Sequence, residues 1–222
     1  MATDIKQGLA DQAQRMDRMY TVQRHFYDLT RRYYLLGRDR LLSELPVKPG
    51  QAVLEMGCGT GRNLLRLHRT RPGLIMCGLD ISREMLATAK AKLDKAGAGV
   101  SLALGPAEDL DSGRDFGRDG FAAVYFSYVL SMLPDWPKAL EAAWAALAPG
   151  GTLMVVDFWD QHDLPAWFGR LLRSWLHLFG VHFRPAVLEA LRLMHGQGRA
   201  ELTLAPVARG YAYLAKLTKL KD

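Results

Sequence analysis

Residues 54–63 read LEMGCGTGRN, and no other stretch of the chain constrains its fold as much. The apolar run Ala52, Val53, Leu54 ends in an acid, Glu55; glycines follow at 57, 59 and 61, and an amphipathic run begins at Asn63. That order describes a strand, a tight turn and a helix start. Glycine is needed there because the backbone must take φ > 0 and let a ligand approach closely. A second apolar run, residues 74–79, ends in Asp80. A carboxylate at the tip of a second strand suits the hydroxyls of a ribose. The pattern predicts an adenosine compound held at the C-terminal edge of a parallel sheet.

Spacing and charge narrow the ligand. A dinucleotide fold wants GxGxxG, with its pyrophosphate on the helix N-terminus. Here the pattern is GxGxG, and Arg62 stands where the third dinucleotide glycine belongs. Glu55 would repel a pyrophosphate and attract the amino group of a methionine moiety. The stretch resembles motif I of the class I S-adenosylmethionine (SAM)-dependent methyltransferases. A nicotinamide cofactor is the alternative; a turn whose glycines serve only packing leaves the two strand-end acids unexplained.

The 222 residues suffice for one decorated domain. With 49% hydrophobic and 23% charged residues, the chain can bury an ordinary core. Cys58 falls in the glycine loop and Cys77 in a predicted buried strand, so neither a disulfide nor a metal site is expected, and a reducing cytoplasm fits. No signal region or run of 18 apolar residues is present, which predicts neither secretion by that route nor a membrane span. The net charge of +6 is uneven: residues 46–160 are close to neutral and residues 161–222 carry most of the excess. A basic flank fits an anionic lipid surface or nucleic acid, and equally a solvated face.

Residues 5–45 read as mostly helical, until ProValLysProGly at 46–50 breaks the pattern. Strands are predicted at about 51–57, 74–79, 100–104, 121–127, 151–158, 200–206 and 209–217, with helices at about 61–70, 82–96 and 136–148. Ser82 is placed to cap the second of these, with Glu84 in its first turn. Alternating strands and helices imply a doubly wound α/β sheet, and the last two strands, too close for a helix between them, an antiparallel edge hairpin. Residues 158–199 form a helical insertion. Its apolar stripe at 164, 167, 168, 171, 172, 175, 176 and 179 packs on the sheet or lies in a membrane interface.

Three further stretches sharpen the resemblance. Residues 17–39 (DRMYTVQRHFYDLTRRYYLLGRD), 125–136 (YFSYVLSMLPDW) and 157–168 (DFWDQHDLPAWF) resemble the bacterial diacylglycerylhomoserine N-methyltransferases of betaine-lipid synthesis. The resemblance covers nearly the whole chain. It implies a Rossmann-like class I methyltransferase fold: a seven-stranded, mostly parallel sheet with an antiparallel edge hairpin, behind an N-terminal helical lid over residues 1–45. It implies methylation of the amino group of diacylglycerylhomoserine to diacylglyceryl-trimethylhomoserine, with SAM as cofactor, a lipid substrate, an anionic membrane surface as partner and a location on the inner face of the cytoplasmic membrane. Nucleic acid is not an expected partner: PheSerTyrVal, not an NPPY-like tetrapeptide, follows the fourth strand. Phosphatidylethanolamine or a quinone precursor as substrate, and a non-catalytic adenosine-binding module, are the competing readings.

The motif positions carry the expected roles. Glu55 meets the methionine amino group, and Gly57, Gly59 and Gly61 make room for methionine and ribose. Asp80 accepts from the ribose, Ile81 lies against the adenine, Ala107 and Glu108 flank its edge, and Ser127 sits near the sulfur. Cys58, Asn63 and Met85 complete the cofactor set, with Arg38 for a carboxylate of SAM or of the head group. Pro106 departs from the family pattern, in which an acid or amide meets the adenine amino group. For the chemistry, Tyr20, Tyr27 and Tyr128 are the catalytic candidates. Aromatic faces, with Tyr33 and Phe126 among them, attract a sulfonium and a methylated ammonium. His25, Asp157, Tyr20 and Tyr27 are possible proton acceptors, and none is singled out.

Overall fold

In the computed structural model, which describes residues 35–160 and 183–220, the glycine turn joins β1 (Ala52–Met56) to α2 (Arg62–Thr70). Before it lies α1 (Arg38–Glu44), whose Leu41 and Leu42 are buried in the core with Leu45 and Val47. After it come β2 (Ile75–Asp80), α3 (Arg83–Lys95) and β3 (Val100–Leu104). Ser82 caps α3 as its sequence predicts, its hydroxyl accepting from the Met85 N–H at 3.3 Å. A 3-10 turn (Ala107–Asp109) and a short α4 (Ser112–Phe116) lead to β4 (Phe121–Ser127). Both are too short to show a period in sequence; α4 exists because the Asp111 carboxylate accepts from the Arg114 N–H at 2.9 Å.

The second half comprises α5 (Trp136–Ala145), β5 (Leu147–Phe158), α6 (Pro185–Gly196), β6 (Ala200–Val207) and β7 (Ala212–Lys219). Strand β5 starts earlier than the expected 151. Leu147 already pairs with Phe121, and the register then jumps to Ala123 opposite Thr152, so residues 148–151 bulge out. Strand β7 starts later than the expected 209, because Ala208, Arg209 and Gly210 all take positive φ and make the turn. Helix α6 falls inside the expected insertion; the stripe over 164–179 lies outside the described residues.

The seven strands run in the order β3-β2-β1-β4-β5-β7-β6. All pairings from β3 to β5 are parallel, and β7 is antiparallel to both β5 and β6. This is the doubly wound sheet with an edge hairpin that the sequence implies. Apolar residues fill both faces: Val53, Tyr125 and Met154 face a layer with Leu64, Leu67 and Leu93, and Leu54, Phe126 and Val155 one with Leu140, Ala143 and Leu191. Strands buried on both sides read as continuous apolar runs. Chain order reverses between β1 and β4, so a crevice opens at the C-terminal ends of those two strands, where ligands bind in such sheets.

Candidate active site

Two adjoining cavities occupy that crevice, sharing Gly57, Gly59 and Ser127 in their walls. The first is mostly apolar. Asp80 and Ile81 at the end of β2, Met85 of α3 and Ala107 and Glu108 of the 3-10 turn line it, as their expected roles require. Leu79, Gly105, Val129, Met132 and Leu133 also line it without having been singled out in the sequence, as does Pro106, which had been. Pro106 replaces a polar adenine partner with an apolar edge. The second cavity is charged, with Arg38, Glu55, Cys58 and Asn63 in its wall as expected, and Asp39, Arg62, Arg66 and Lys92 around them.

The glycines divide their work. Gly57 takes φ 71°, and a Cβ there would lie 2.7 Å from Val129 Cγ2, so it lets the β1 and β4 loops meet. A Cβ on Gly59 would meet nothing within 4 Å, which leaves that backbone open to a ligand. Gly61 departs from its expected role. A Cβ there would lie 3.0 Å from the Ala89 side chain, so its bareness brings α2 and α3 together and does not clear space for methionine or ribose.

Carboxylates at the strand ends hold these loops. Asp80 accepts from the Gly59 N–H at 2.7 Å and from the Ser82 N–H at 2.9 Å, which ties the β1 loop to β2 and keeps the carboxylate at the cavity wall. Glu55 is buried and accepts from Asn63 Nδ2 at 2.6 Å through Oε1, while its Oε2 has no hydrogen-bond partner. Burial pushes the Glu55 carboxyl up to about 8, against the lowering effect of Asn63, the nearby Tyr125 hydroxyl and Arg38. Burial also raises the Cys58 thiol, with the charges of Asp80 and Glu55 adding to the rise, so this cysteine is an inert wall residue.

The loop after β4 forms another wall of the first cavity. Tyr128 is buried, lines the first cavity and takes φ 61°. Its hydroxyl donates to the Leu36 carbonyl at 2.5 Å, and its ring meets Phe158 edge-on at 4.6 Å. Burial, then Tyr211 and Asp157, raise its pKa, so it contributes an aromatic face and not a base. Ser127 Oγ is buried and without a partner between the two cavities. Phe126 belongs to the core under α5 and does not line either cavity, which corrects its expected place near the methyl group. Asp157 is likewise removed from the candidate bases: it is 1% exposed, with both oxygens accepting backbone N–H groups. Tyr20, Tyr27, Tyr33 and His25 lie outside the described residues.

SAM fits this arrangement. An apolar cavity with a carboxylate at its inner wall matches adenosine. A buried acid with an unpartnered oxygen matches an ammonium, and Arg38 on the same wall matches a carboxylate. Among the described residues no group of His, Cys, Asp and Glu is disposed to hold a metal.

The comparisons agree with the geometry. A family model described as a methyltransferase domain matches residues 53–151. The chain is 31% identical over 198 residues to a demethylmenaquinone methyltransferase of Corynebacterium glutamicum, covering 87% of this chain and 77% of that protein. The chain belongs to the class I SAM-dependent methyltransferases. Its cofactor is therefore SAM. A ubiquinone/menaquinone biosynthesis C-methyltransferase of Desulfotalea psychrophila is 30% identical over 64% of this chain. The chain spans 57% of that relative, and 39% and 60% of two others. The fold also matches a solved Haemonchus contortus phosphoethanolamine N-methyltransferase 2 in complex with SAM, with TM-score 0.64, 16% identity, and coverage of 83% of this chain and 52% of that one.

Proposed function

We propose that the chain transfers the methyl group of SAM to the amino group of diacylglycerylhomoserine, giving the trimethylated betaine lipid. One observation supports N-methylation: the buried Tyr128 ring lines the first cavity beside Ser127, an aromatic face suited to a methylated ammonium. The Tyr128 hydroxyl donates to the Leu36 carbonyl, which holds that ring in place. The ammonium must lose a proton before it attacks the methyl carbon, and the first two transfers each leave a further proton on nitrogen that must pass to water or a nearby base before the next, so the site aligns a neutral amine and lets protons leave.

SAM, when bound, supplies a methyl carbon activated by a cationic sulfur. The protein's own residues orient and shelter it. Glu55 would hold the ammonium and Arg38 the carboxylate, while Asp80 would accept from the ribose hydroxyls. Leu79, Met132 and Leu133 exclude water around the base. The Tyr128 face attracts cationic groups by about 0.5–2 kcal/mol, which favours retention of a partly methylated amine for another round. Stretches 17–39 and 157–168 support the homoserine-lipid assignment by resemblance. A lipid acceptor places the protein against the inner face of the cytoplasmic membrane, held by basic side chains on an anionic surface; no described helix is long and apolar enough to cross it.

A second reading, C-methylation of a quinone precursor, is favoured by the relatives at 30–31% identity. Purified protein with SAM and separate diacylglycerylhomoserine, demethylmenaquinone, phosphatidylethanolamine and small-amine acceptors, followed by mass spectrometry, decides between them. Methylated diacylglycerylhomoserine is the expected product. Exclusive methylation of the quinone precursor overturns the proposal. Co-sedimentation with phosphatidylglycerol vesicles, lost in high salt, is expected of the surface contact, and its absence removes that part.

A further inference from the structure

Each loop beside the switch point is held by a carboxylate from the next strand out. Asp80 of β2 holds the β1 loop at Gly59. Asp157, at the end of β5, holds the β4 loop in the same way: Oδ2 accepts from the Ser131 N–H at 2.9 Å and Oδ1 from the Phe158 N–H at 2.8 Å. Arg184 Nε donates to the Ser131 carbonyl at 3.0 Å, so Ser131 is pinned through both its N–H and its C=O. At the other end of the loop, the Tyr128 N–H donates to Val156 O at 2.8 Å. Tyr128 needs this restraint. A bulky residue at φ 61° lies in a conformation that costs on the order of 1–3 kcal/mol and persists only where its surroundings enforce it.

We propose that Asp157 is a positioning residue for methyl transfer: it fixes the loop over residues 128–133 so that the Tyr128 ring and Ser127 hydroxyl stay at the reacting end of the cofactor site. The proposal rests on the methyltransferase reading above but not on the identity of the acceptor. A base needs a lone pair aimed at the acceptor, whereas both Asp157 oxygens face backbone N–H groups inside the fold. A misplacement of about 1 Å at a reacting centre costs up to about a hundredfold in rate, so a loop anchor is felt in turnover.

Asp157→Asn keeps the shape but turns one acceptor into a donor facing an N–H. The expected result is a kcat lower by about ten- to a hundredfold, a larger effect than the weakening of the calorimetric Kd for SAM, to which Met132 and Leu133 of the same loop contribute. Amide hydrogen exchange in the protein without cofactor should accelerate by at least about tenfold across residues 128–133 and stay unchanged in β1 and β2. Arg184→Gln, which releases the carbonyl of Ser131, in the next peptide group along the loop, should give a smaller change of the same kind; it carries the test if the Asn variant fails to fold. Wild-type exchange in both variants, or loosened exchange with full kcat, overturns the proposal. So does a loss confined to KM. Absence of methyl transfer by the wild-type protein to any acceptor would remove the activity reading instead, while the exchange data still decide whether Asp157 holds the loop.

Discussion

Glu55 shows how one buried side chain couples cofactor, proton and stability. Its carboxyl sits at about 8 in the free protein against an ordinary 4.5, chiefly because burial penalises the charge. A carboxyl with a raised folded pKa is a stability term present below pH 4.5 and lost as pH rises through about 8. Asp157, raised to about 6 by burial, adds to the same slope at its acidic end. Free protein should therefore lose stability from about pH 4.5 to 8, and Glu55→Gln should flatten most of that slope and raise Tm at pH 8 by a few degrees, on the order of 1–2 kcal/mol. Thermal melts across that range test it; a Gln variant with the wild-type slope removes Glu55 as its source. Binding has the opposite sign. An ammonium beside Glu55 favours the ionised carboxylate, so binding of SAM releases a proton. Affinity should rise between about pH 6 and 7.5, at most about tenfold per unit, while the ligand's amine stays charged. The Gln variant should bind SAM more weakly and lose that dependence, read by calorimetry at two pH values. At Asp80, truncation to Ala removes both the ribose acceptor and the tie to Gly59. Calorimetric affinity for SAM should fall by about a hundredfold or more, and an unchanged Kd would refute the ribose assignment.

At the scale of elements, the site is two loops brought into contact by the absence of a side chain. A Cβ on Gly57 would stand 2.7 Å from Val129 Cγ2, on a backbone at φ 71°. Gly57→Ala should cost about 1–3 kcal/mol, from overpacking and from left-handed strain together. Val129→Ala in the same chain should restore the steric part and leave the conformational part. Simple additivity of the two substitutions in a denaturation cycle would show that the loops do not press on each other there. The sequence made the β1 loop legible because glycine spacing is a local signal, and the same holds for Ser82, whose cap bond spans three residues. The β4 loop was not legible in this way. Its anchors join Ser131 to Asp157 and Tyr128 to Leu36, across 26 and 92 positions. Asp157 looked like a base because a strand-end acid is all that a sequence shows of it. Gly61 looked like a ligand contact because spacing does not reveal which side of the turn a missing Cβ would occupy.

At the scale of the molecule, the cofactor site exists only where two halves of one sheet meet. One half, β3-β2-β1, supplies Asp80 and the glycine turn; the other, beginning at β4, supplies Ser127 and Tyr128. Alternating apolar runs made the layered architecture and the edge hairpin legible. The neighbours of each strand were not, because parallel strands buried on both faces carry similar apolar patterns whatever lies beside them. The charged cavity shows the same limit: Arg38 was legible only as a cation suited to a carboxylate, while Arg62, Arg66 and Lys92 join it only through the packing of α1, α2 and α3. A ligand seated across both halves stabilises the assembled sheet and not its parts. At a concentration of about a hundred times its Kd, SAM or its demethylated product should add about 2.7 kcal/mol, which for a domain of this size raises Tm by about 5–10 °C. Because the seven strands form one continuous sheet, far-ultraviolet dichroism and intrinsic fluorescence should shift together, and Asp80→Ala should lose most of the shift at the same ligand concentration. A full shift retained in Asp80→Ala would mean that the crevice between β1 and β4 is not the ligand's seat.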